Sequence, residues 1–93
     1  MDNEISERKI KKYFDLTGEA LEIVKDSVIE GKEIPAKEII DMVSNYLEDA
    51  KHFFDNGKWV DAFAALNYAH GWLDSGVRLG VFEVDDDRLF TVK

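Results

Sequence analysis

This chain of 93 residues has no cysteine. That removes disulfides, thiolate zinc sites, iron–sulfur clusters and thiol nucleophiles from consideration. No apolar run approaches the roughly 18 residues of a membrane span, and the opening MDNEISERK has no signal-peptide core. A cytoplasmic protein with no membrane association is therefore expected. Positive charge is scarce: 12 Lys and Arg stand against 20 Asp and Glu, a net charge of −8. Duplex binding depends on phosphate neutralisation by Lys and Arg, which argues against nucleic acid as a main partner. The chain also lacks a nucleophile elbow, a Walker loop and a dinucleotide fingerprint. Neither histidine follows an Arg at the four-to-six spacing of one class of helical nucleases.

Proline is reduced to one residue, and the six glycines fall mostly between apolar-periodic segments, the pattern of an all-α chain. The stretch from Gly57 to Gly80 organises it. At 100° per residue, Ala62, Ala65, Ala69 and Gly76 run along the middle of one helical face. Tyr68, Trp72 and Leu79 flank that stripe on one side, and Leu66, Leu73 and Val77 on the other. Gly71 and Gly76 each cost about 1 kcal/mol relative to Ala in a helix interior, so close approach of another backbone is expected at both.

Two further segments show the same periodicity. Ile10, Tyr13, Phe14, Thr17, Ala20, Leu21, Val24 and Val28 predict a helix over about 5–30, with Asp2, Asn3 and Glu4 suited to its N-terminal end and Gly31 closing it. Pro35 at the first helical position and Asn56-Gly57 at the end bound a second helix over about 35–55. The third covers about 59–79. Short connections between three such helices favour an antiparallel up-down-up three-helix bundle in one domain, 1–93, with a short C-terminal tail over 81–93. Val60, Trp59 and Phe63 add apolar surface beyond the arc of two neighbours, to be covered either by Phe82, Leu89 and Phe90 or by a second subunit.

Most local motifs have a plain structural reading. Gly57, Trp59, Ala62, Leu66 and Ala69 match half of a tetratricopeptide repeat, but one partial copy cannot stack. Asp49 and His52 have the carboxylate–His spacing of di-iron bundles, yet His52 lies opposite the apolar stripe. Asp85-Asp86-Asp87 lacks the spaced ligands of a calcium loop. No metal site and no cofactor are expected. Arg8, Lys9, Lys11 and Lys12 oppose the helix dipole at the start of the first helix. They read either as a solvated face paired with Glu7 and Asp15 or as a seat for an anion or acidic partner. On the polar side of the third helix, His70–Asp74 and Asp74–Arg78 are i,i+4 neighbours beside Asn67. These four are the candidate binding residues, with two readings open: an anion- or partner-binding patch, or a solvated face or polar clasp onto the tail.

Asp49-Ala50, Phe53, Gly57, Ala62-Phe63, Tyr68 to Asp74, Gly76 to Gly80 and the ending Leu89 to Val92 together resemble the small archaeal domain-of-unknown-function family numbered three-five-seven. Lys58 and Trp59 depart from its pattern, which has Asp and Tyr there. The resemblance implies a three-helix bundle and no known activity. Longer relatives that carry such a module beside a nucleotidyltransferase-like domain imply an accessory role.

No constellation completes a nucleophile, base and charge stabiliser. The expected function is a non-catalytic protein-interaction or accessory module, with a homodimer or another protein as the partnership. The alternative is a small enzyme or anion/ligand-binding protein using Asn67, His70, Asp74 and Arg78.

Overall fold

The computed structural model describes residues 6–90. Three helices follow one another: α1 (Glu7–Lys25), α2 (Glu33–Asp55) and α3 (Trp59–Arg78). They form an antiparallel up-down-up bundle. α3 packs along α2 on one side and α1 on the other, while α1 and α2 barely touch. The bundle measures 44 × 23 × 16 Å.

Local chemistry sets the helix ends. Ser6 caps α1, its hydroxyl accepting from the Lys9 N–H at 3.1 Å. The proposed end residues Asp2, Asn3 and Glu4 lie outside the described residues. α2 and α3 close in the same way, with Gly57 (φ 75°) and Gly80 (φ 78°) just beyond the last turn. In each, a backbone N–H reaches back five residues, Lys58 to Phe53 O at 2.8 Å and Val81 to Gly76 O at 2.8 Å. This left-handed closure is the one glycine permits without strain.

Two boundaries differ from the sequence expectation. α1 stops at Lys25, not near residue 30, and the Ser27 hydroxyl donates to Ile23 O at 2.6 Å. Val28 continues the apolar period but faces the tail: it forms an isolated antiparallel bridge with Phe82. Ile29 N–H donates to Val81 O (3.0 Å) and Glu83 N–H to Ser27 O (2.8 Å). Gly31 therefore belongs to the turn before α2, its N–H held by the Glu33 carboxylate at 3.1 Å. Pro35 is the third residue of α2, not the first. Any of the first-turn N–H groups lacks an intrahelical acceptor, so proline is harmless there too.

The core has two ends. At the α2–α3 turn, Ile10, Ala50, Ala62, Ala65 and Leu66 are buried among Tyr13, Phe14, Phe53, Phe54 and Trp59. At the opposite end, Leu21, Val24, Val43, Ala69 and Leu73 pack with the tail residues Val81, Phe82, Leu89 and Phe90. The tail thus fills the end away from Trp59 and Phe63. Those two are met instead by aromatic side chains of the bundle, Phe63 by Tyr13 (5.0 Å, edge-on) and Trp59 by Phe54 (5.7 Å, stacked).

The two interior glycines of α3 also part company. A Cβ at Gly76 would sit 2.5 Å from the Phe82 ring and 3.1 Å from Ile39 Cδ1. The close approach there is by a side chain, not a backbone. At Gly71 a Cβ would meet nothing within 4 Å, so the expected contact within the chain is absent.

Candidate functional site

The tail's return across α1 and α3 changes the polar side of α3. His70, half-buried, places Nε2 2.5 Å from the Leu89 carbonyl and Nδ1 3.3 Å from Thr17 Oγ1. A carbonyl only accepts, so Nε2 carries the proton and donates. Nδ1 of the neutral ring then accepts from the Thr17 hydroxyl, which is fully buried on the core face of α1. One imidazole therefore ties α1 to the tail, and both its nitrogens are engaged.

Beside it, a groove of about 380 Å³ opens between α1, α3 and the tail. Asn67, His70 and Asp74 line it together with Tyr13 and Arg88. Arg78, the fourth residue of the sequence constellation, is exposed and is not among the lining residues. The groove's cation is Arg88, whose place beside α3 no local pattern specifies. It binds Glu19 at 2.9 Å, 69 residues away in the chain. That hydrogen bond, and next the charge of the same carboxylate, push the Arg88 pKa up from its ordinary value. Asp86 shapes the turn beneath it by accepting from the Arg88 N–H at 2.8 Å.

Further round α3 lies a different surface. Tyr68 and Leu79 flank the apolar stripe as their phase requires, yet they are 62% and 75% exposed. With Trp72 they wall a shallow hollow of about 480 Å³ floored by Gly71 and Ser75. Tyr68 stacks on Tyr46 of α2 (5.0 Å, 11° between planes), which fixes the edge of α2 that adjoins it. Met42, one turn before Tyr46 on that edge, is also exposed. The antiparallel pairing that stacks Tyr46 on Tyr68 brings Met42 level with Trp72.

The basic run of α1 divides its side chains. Lys11 pairs with Glu7 at 3.0 Å, and Lys9 lies 5.3 Å from the centre of the Phe63 ring. Arg8 and Lys12 remain on the exposed face, beside Asp15. Among the described residues, no group of three or more His, Cys, Asp or Glu side chains is arranged to hold a metal ion, and no helix is long and apolar enough to cross a membrane.

Residues 12–82 match a family described as a protein of unknown function (DUF357). No curated protein and no solved structure matches the chain.

Proposed function

The chain belongs to the DUF357 family, whose description assigns no activity, and we propose that it is a non-catalytic protein-interaction module that docks through the outer side of α3. The observation that carries this reading is the wall formed by the exposed Tyr68 and Leu79 with the half-buried Trp72 around the Gly71–Ser75 floor. Large apolar side chains clustered on the surface of a small acidic domain favour neither its solubility nor its core, and contiguous patches of this kind mark contact surfaces. The engagement of both His70 nitrogens supports the non-catalytic half, since an acid–base group must be free to exchange a proton with a substrate.

A photo-crosslinking residue at position 79, compared with one at Glu22 on the exposed face of α1, tests the proposal in native extract. Protein crosslinks concentrated at position 79 are expected. Equal yields at the two positions would sink it.

A second reading rests on the groove that gathers Asn67, His70 and Asp74 with Arg88. Its mixed charge suits a small anionic or zwitterionic ligand, with Arg78 at the margin as a further cation. On this reading, Asn67→Ala and Arg78→Ala leave the melting temperature within about 1–2 °C while abolishing ligand binding.

A further inference from the structure

We propose that the hollow on α3 and the adjoining edge of α2 receive a basic amphipathic helix of another protein; this rests on the docking reading above and names the partner's chemistry. The apolar elements suit a helix. Tyr68, Trp72 and Leu79 follow one another at spacings of one and two turns, the register in which a docked helix presents its own i, i+3/i+4 and i+7 anchors. Gly71 has open space above it, so the incoming helix can come closer to α3 than any side chain there would allow.

Charge selects the partner. On α2, Glu38 lies one turn before Met42, and Asp49 lies two turns after it. On α3, Asp61 lies two turns before Tyr68. All three carboxylates are exposed. The same ridges run through Asn45, Ala64 and Ser75 and hold no Lys or Arg as far as Ser75. Lys37, adjacent to Glu38, is drawn to Asp41 at 2.8 Å, and Arg78 projects about 100° round the helix from Leu79. The apolar surface is therefore rimmed by three carboxylates against the exposed Arg78, one turn beyond Ser75, an excess of negative charge in a chain of net charge −8.

A second copy of this chain is the poorer occupant. A two-fold interface sets the same patch against itself, bringing both sets of carboxylates together between two molecules that already repel. Lys and Arg flanking Leu or Phe anchors satisfy the rim instead and raise the rate of encounter.

The test uses the full chain with Trp59→Phe, which leaves Trp72 as its sole tryptophan. The probes are two helical peptides of about 18 residues, long enough at ~1.5 Å per residue to span the ridge. One is built from Leu and Lys, the other from Leu and Glu at the same spacing. The Lys peptide is expected to shift Trp72 emission, and to bind roughly tenfold more weakly when salt rises from about 50 to about 500 mM. Two variants are each expected to weaken it about tenfold or more: Glu38→Lys with Asp49→Lys and Asp61→Lys, and the charge-neutral Tyr68→Ser with Leu79→Ser.

Unchanged binding in the serine variant would reveal mere attraction to an acidic protein and overturn the proposal. Equal binding of the Glu peptide would overturn it as well. So would concentration-dependent dimers in sedimentation that the serine variant abolishes, since a second copy would then be the occupant. If crosslinks form at position 79 while neither peptide binds, the basic helix is refuted and the docking surface survives. If position 79 also gives none, both fall.

Discussion

Gly71 and Gly76 stand five residues apart on one helix, and their surroundings could hardly differ more. Gly76 is buried beneath the Phe82 ring, with room for a hydrogen and nothing larger. Gly71 is exposed, with empty space where a side chain would go. Both lower helix propensity by about 1 kcal/mol, but only at Gly76 does packing within the chain offset it. The tail side of α3 is therefore a finished interior, whereas the outer side is built to a depth that the chain itself does not fill. That contrast separates residues that hold this protein together from those available for a partner.

The sharpest way to break the contrast is on the tail side. Phe82→Ala removes one of the largest fully buried side chains and is expected to destabilise by about 3–5 kcal/mol in denaturant melts. A smaller loss would mean that the tail is laid on the bundle, not built into it. Gly76→Ala should lower stability by about 1–3 kcal/mol, because the ring it meets is itself enclosed. In the Phe82→Ala background the same substitution should turn neutral or stabilising, which a double-mutant cycle reads directly.

His70→Ala strands the Thr17 hydroxyl and the Leu89 carbonyl and should lower stability by about 1–3 kcal/mol. An unchanged midpoint would return His70 to the list of freely available surface groups. The smallest effect has the opposite sign. Gly71→Ala should stabilise by about 0.5–1 kcal/mol through helix propensity, and in the crosslinking assay it should lower the yield at position 79. Lower stability on adding that methyl would show a contact at Gly71 that the open space does not suggest.

Periodicity made three helices legible, along with the stripe Ala62, Ala65, Ala69 and Gly76, all buried as their phase required. Contacts between residues distant in the chain were not. Val28 keeps the helical period of α1 yet bridges to Phe82, because an apolar residue serves a helix face and an extended segment equally well. His70 carried the right signal, a lone histidine among polar neighbours, but its partners come from α1 and from a tail whose path no local pattern specifies. Gly71 and Gly76 looked alike for the same reason. Propensity is local, and what lies above a glycine is decided by the rest of the chain. The exposure of Tyr68 and Leu79 was missed because periodicity marks an apolar flank without saying whether a neighbour covers it. Thr91 and Val92 of the tail lie outside the described residues.

The pairing of residues 27–29 with 81–83 has a consequence for how the chain folds. It joins the α1–α2 connection to the segment after α3, so its two hydrogen bonds, Ile29 to Val81 and Glu83 to Ser27, enclose α2 and α3 entirely. The α2–α3 turn is a local contact that closes within a short loop, whereas this pairing gains nothing until both helices have already come together. It is placed to form late and, once formed, to stop the hairpin swinging away from α1. The amides of Ile29 and Glu83 then act as clocks for the whole molecule: their hydrogen exchange should follow global unfolding, even though neither sits inside a helix.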